Sequence, residues 1–128
     1  MEPWIRKWAE DAGLSPAEAA EVYGVKLRQM RYWLAGHPEP PPWARHAAAA
    51  YLAGYTPWHL SLDGWREAMG GDRKAITISR AAGLLGVDYR TFTRWHVRHK
   101  PRRGVLLACR AILNRLPPYE VEQQRAAP

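Results

Sequence analysis

The chain has 128 residues, enough for one domain of ordinary size or for two small ones that must share a core. Its single cysteine, Cys109, excludes an intramolecular disulfide and a cysteine zinc site, and no apolar run approaches the length of a membrane span. The formal charge of +7 is unevenly placed, with 7 Lys and Arg against 8 Asp and Glu in residues 1–70 and 12 against 4 in residues 71–128, a split expected when one part meets a polyanion.

Taken in order, Pro3 suits a helix N-terminus, and Trp4, Ile5, Trp8 and Ala12 recur at a helical period closed by Gly13. Arg6, Lys7, Glu10 and Asp11 interrupt this end, so a signal peptide is not expected and the protein is read as soluble and cytoplasmic. Ser15 is a good N-cap, Pro16 a good first helical residue, and Glu18 falls in the dipole-favoured first turn of a second helix running to Tyr23. A third helix is predicted from Leu27 to Ala35, stopped by Gly36 and the prolines. The segment "GHPEPPPWA" reads as a loop in which Pro42 opens the next helix, rather than as an exposed polyproline ligand. "WARHAAAAYL", Trp43 to Leu52, has strong helix propensity.

Thr56-Pro57 reads as a cap and first turn, with Trp58 and Leu60 directed inward. Asp63 or Ser61 starts a further helix that ends at Gly70-Gly71. "ITI" at 76–78 is β-branched and reads as a short extended entry rather than a sheet. A helix pair follows, then the basic loop "HVRHKPRRG", then a closing helix from Val105 to Leu116. Pro117-Pro118 cut it off, and residues 119–128 form a polar tail, of which "EVEQQRAAP" is expected to fray.

An internal repeat organises these elements. Residues 14–36 align without a gap on 76–98, a shift of 62, with 6 identities in 23 positions: Ala19 and Ala81, Ala20 and Ala82, Gly24 and Gly86, Val25 and Val87, Arg28 and Arg90, Trp33 and Trp95. Small Ala20 and Ala82 let two helices approach, and Gly24 and Gly86 supply a left-handed turn four residues later. Met30 with Trp33, and Phe92 with Trp95, stand at i and i+3 and mark the inward face. Positions 27, 28, 29 and 32, and 89, 90, 91 and 94, are left outward.

The stretch "IRKWAEDAGLSPAEAAEVYGVKLRQMRYWLAG" and its proline-marked loop resemble the phage-repressor and Cro-like (Xre-type) helix-turn-helix domains, well over residues 4 to 53 and more loosely from 60 to 116. Pro16 departs from the pattern, where a polar backbone-contacting residue is common, and Arg98 replaces the glycine found at Gly36. The resemblance implies an all-α fold of two tandem helix-turn-helix units, 1–55 and 56–118, each of four to five short helices. It also implies sequence-specific binding of double-stranded DNA, as in a phage or bacterial transcriptional repressor.

On that reading Arg28, Gln29 and Tyr32, and Tyr89, Arg90, Thr91 and Arg94, face base edges, because arginine matches guanine bidentately and glutamine matches adenine. Lys26, Arg31, Arg98, Lys100, Arg102 and Arg103 hold phosphates and set register. The clustering of cations after Arg90 predicts that the second unit carries most of the DNA affinity. A homodimer is expected, with an interface in the aromatic-rich stretch from Trp43 to Trp65.

His96 and His99 are spaced for a metal but lack a third ligand, so they are read as contacts to phosphate or water. There is no glycine-rich phosphate loop, nucleophile elbow or carboxylate pair, and neither an enzyme nor a cofactor is expected. Two alternatives stay open: another DNA task on the same fold (packaging, excision, antitoxin), or a protein-binding module such as an antirepressor or inhibitor.

Overall fold

A computed structural model of the chain describes residues 2–97 and 101–121, with the side chains of 96 and 97 left out. The described residues form eight α-helices and no strand: α1 Trp4–Ala12, α2 Pro16–Tyr23, α3 Leu27–Ala35, α4 Trp43–Leu52, α5 Leu62–Gly70, α6 Ile78–Leu85, α7 Tyr89–Val97 and α8 Arg103–Leu113. The protein is all-α, and no helix among the described residues is long and apolar enough to cross a membrane.

The helix ends follow local chemistry. Ser15 and Glu18 form a reciprocal capping box: the Glu18 amide donates to Ser15 Oγ (3.2 Å) and the Ser15 amide to Glu18 Oε1 (2.9 Å). Thr77 Oγ1 accepts from the Arg80 amide at the start of α6, so the β-branched "ITI" supplies a cap and a first turn. Ser61, not Asp63, caps α5, its Oγ accepting from the Gly64 amide at 3.0 Å.

The centre of the molecule is α4 packed against α8. Alanines make this close approach possible: Ala44, Ala47, Ala48 and Ala50 on α4, and Ala108 and Ala111 on α8, are fully buried. Large aromatics from the outer helices then close over the pair, and their polar atoms are spent on its carbonyls. Trp8 Nε1 of α1 donates to Ala48 O (3.1 Å), Tyr23 Oη of α2 to Ala44 O (2.8 Å) and Trp65 Nε1 of α5 to Cys109 O (3.0 Å). Trp8 and Trp33 each meet the Tyr23 ring edge-on, with centroids 5.2 and 5.7 Å away. Buried residues from both sequence halves belong to one hydrophobic cluster.

Four expectations are corrected. Thr56 and Pro57 open no helix, because residues 55–59 run irregularly past α8 and the Trp58 amide donates to Leu106 O at 3.0 Å. Trp58 is buried as expected, but Leu60 is 55% exposed and lies outside against Gly64 in the first turn of α5. The closing helix begins at Arg103 and ends at Leu113, after which Arg115 takes a positive φ of 56°. Tyr119, grouped with the polar tail, is instead packed into the core. Its ring is buried, its amide donates to Arg45 O, Arg45 Nη1 donates to its carbonyl, and its hydroxyl donates to Asp11 Oδ2 at 2.9 Å. Burial, then the neighbouring Asp11 carboxylate, push the Tyr119 phenol above its ordinary range. Residues 122–128 lie outside the described part.

Trp43, Trp58 and Trp65, expected at a dimer interface, are buried within the chain, which leaves Leu52, Tyr55 and Leu60 as the exposed large apolar residues of that stretch.

Candidate nucleic-acid interface

The two repeats fold alike. α2 and α6 each have eight residues, α3 and α7 each have nine, and all their bounds coincide under the shift of 62. The joints are also the same: Gly24 sits at φ 67°, ψ 32° and Gly86 at φ 70°, ψ 30°. In each, the following valine closes the turn, Val25 N donating to Ala20 O and Val87 N to Ala82 O, both at 3.0 Å. Both turns need glycine for their left-handed backbone.

Each second helix is two-faced. Met30 and Trp33 of α3 are buried, as is Phe92 of α7, while Trp95 is half-buried against the core. On the outer face of α3, Leu27, Arg28 and Tyr32 are exposed and Gln29 is half-buried. On α7, Tyr89, Arg90 and Arg94 are exposed and Thr91 is half-buried. All seven expected base-contacting side chains therefore lie outward or at the margin of the core.

Arg28 is held in place: its Nε donates to Tyr32 Oη at 3.0 Å, and the guanidinium carbon lies 5.7 Å from the ring centroid. With Nε occupied, the Nη1 and Nη2 fork remains to meet a guanine edge or a phosphate. Arg90 and Arg94 stand one turn apart on the exposed side of α7.

Among the expected phosphate contacts, Lys26, Arg31, Arg102 and Arg103 are exposed, whereas Arg98 and Lys100 lie outside the described residues, as does His99 and the side chain of His96. The sequence places Arg102 and Arg103 with the second repeat, yet the structure sets them against the first. Arg102 Nη1 donates to Gly24 O at 3.3 Å, and the Arg103 backbone abuts Gly24. Two cations of the second half thus flank the first glycine turn beside Lys26.

Asp88, not among the expected contacts, stands where the first repeat has Lys26. Its Oδ1 accepts from the Thr91 amide at 2.7 Å, capping α7. Hydrogen bonds from Thr91, and then the charges of Arg90 and Arg94, hold this carboxyl below its ordinary range. The Ser15 hydrogen bonds do the same for Glu18. The signal for Asp88 was present: an aspartate directly before a helical period, three residues ahead of the amide it caps.

Both carboxyls are depressed in the folded state, so their contribution is complete above the unfolded carboxylate range and is lost as pH falls through their folded values. Chemical denaturation followed by circular dichroism from about pH 7 to about pH 3 should show stability falling on the acid side. The variant combining Glu18→Ala with Asp88→Ala should lose less over that window; an unchanged acid slope would contradict the assignment of these caps.

Among the described residues, no three His, Cys, Asp or Glu side chains gather as a metal site would require. Cys109 is buried, which pushes its thiol far above the ordinary range and leaves it a small apolar packing residue. No protein-family model, curated protein or solved structure matches this chain.

Proposed function

We propose that the protein binds double-stranded DNA sequence-specifically through the outward faces of α3 and α7, as a repressor-like transcriptional regulator. The observation that carries this reading is the repeated helix pair. Two copies share one glycine-turn geometry, turn the same positions of the second helix toward the core and leave an arginine outward at the same place, Arg28 and Arg90. An outward helix of this length, seated on a first helix, is what a major groove accepts, and arginine matches the guanine edge with two hydrogen bonds. Arg31, Lys26, Arg102 and Arg103 then serve the phosphates on either side.

A protein partner for the first helix pair is the second reading, favoured by the exposure of Leu27 and Tyr32 on α3, the latter 46% exposed. Selection from a random duplex library decides between them. The DNA reading predicts enrichment of a defined sequence that survives challenge with scrambled duplex; retention of all duplexes alike, or of none, would contradict it.

A further inference from the structure

Two-fold dimers are recognised by reciprocity: residue i of one copy touches residue j of the other, and j touches i. The same reciprocity runs inside this single chain. A Cβ on Gly24 would lie 2.8 Å from the Arg103 amide nitrogen and 3.1 Å from the Arg103 Cβ, at the first residue of α8. A Cβ on Gly86 would overlap the Cβ of Pro42 and lie 2.8 Å from its Cγ, at the start of α4. Each glycine turn is thus seated on the start of the helix that follows the other pair. The helices α4 and α8, each the sequel of its own pair, pack on one another through the centre of the molecule.

We propose that one copy of this chain is already the pair that reads DNA: α3 and α7, locked together through the α4 and α8 contact, take two unlike half-sites of one non-palindromic duplex. This rests on the duplex reading above. Most of the large apolar surface from Trp43 to Trp65 is consumed internally, since Ala44, Ala47, Ala48 and Ala50 and the tryptophans Trp43, Trp58 and Trp65 are buried, leaving only Leu52, Tyr55 and Leu60 exposed among its large apolar residues. The two reading faces are then joined without a flexible linker between them, and the second half-site is engaged intramolecularly.

The faces share one arginine and differ around it. α3 offers Lys26, Leu27, Arg28, Gln29 and Tyr32; α7 offers Asp88, Tyr89, Arg90, Thr91 and Arg94. Each half-site should hold a guanine opposite Arg28 or Arg90. A second guanine opposite Arg94 should mark the α7 half, and an adenine opposite Gln29 the α3 half.

The test has two arms. Sedimentation of the full chain with its selected duplex should give one chain per duplex, and the free chain should be a monomer. The variant combining Lys26→Asp, Leu27→Tyr, Gln29→Thr and Tyr32→Arg gives α3 the outward face of α7 while leaving buried Met30 and Trp33 untouched. Its selected duplex should change from two unlike halves to two alike. Two chains per duplex, a palindromic site for the unaltered chain, or an unchanged site for the folded variant overturns the internal pair and leaves the duplex reading standing. Failure of the unaltered chain to select any duplex overturns the duplex reading itself, and the bipartite site falls with it. Should the variant not fold, the stoichiometry and site symmetry of the unaltered chain decide alone.

Discussion

Replacing Gly86 with alanine is expected to destabilise the protein by about 1–3 kcal/mol more than the same change at Gly13. Both glycines close a helix with φ of 70°, so both substitutions carry the left-handed penalty of roughly 1–2 kcal/mol. Their surroundings differ. An added Cβ at Gly13 meets nothing within 4 Å, whereas at Gly86 it would run into the Pro42 ring. A proline ring at the start of a packed helix has no free torsion with which to move aside, so α4 or the turn itself must shift. Gly24→Ala should resemble Gly86→Ala, because the obstacle there is the Arg103 backbone. Urea unfolding followed by tryptophan fluorescence separates the three. Equal losses at Gly13 and Gly86 would mean that the second glycine turn does not press on α4, and the reciprocal seating of the two helix pairs would be wrong.

That contact also marks the limit of what the sequence discloses. The bounds of α2 and α3 were legible because each is punctuated locally, by Ser15 and Pro16 at the start, Gly24 at the turn and Gly36 at the end, and the shift of 62 carries them onto α6 and α7. The inward positions were legible because Met30 with Trp33, and Phe92 with Trp95, obey the helical period. What failed depended on partners distant in sequence. Trp58 abandons a helical start because Leu106, on α8, takes its amide. Tyr119 looks like the start of a polar tail, yet its partners are Arg45 and Asp11, the latter 108 residues away. Arg102 counts with the second repeat by position and reaches the first through Gly24 O, 78 residues away. The expectation that the second unit dominates DNA affinity rested on Arg94 and on the four cations from Arg98 to Arg103; Arg94 does stand outward on α7, while Arg102 and Arg103 flank the first glycine turn instead. Asp88 is a different case, a cap with a visible local signal.

Loss of both Arg90 and Arg94 should cost the largest share of sequence discrimination. Each arginine that grips a guanine edge with two hydrogen bonds is worth on the order of 1–3 kcal/mol against the wrong base, which is about fivefold to a hundredfold in affinity. The two stand a turn apart and are exposed, so they can meet separate bases. If their effects add, Arg90→Ala with Arg94→Ala weakens the selected duplex by roughly thirtyfold or more and scrambled duplex far less. Arg28→Ala should also lose discrimination, by about tenfold, since the Tyr32 hydroxyl already holds its guanidinium in one place. Arg102→Ala should act differently. It removes a cation beside Gly24 without touching a reading face, so it should weaken all duplexes alike and lower the log–log salt slope by about one.

Fluorescence anisotropy of the unaltered chain and these variants, with the selected and a scrambled duplex across a salt series, tests the central claim most directly. The predicted result is a split: Arg28, Arg90 and Arg94 substitutions collapse the gap between the two duplexes, while Arg102→Ala preserves the gap and flattens the salt slope. If the gap survives the loss of Arg28, Arg90 and Arg94 together, α3 and α7 do not read the duplex.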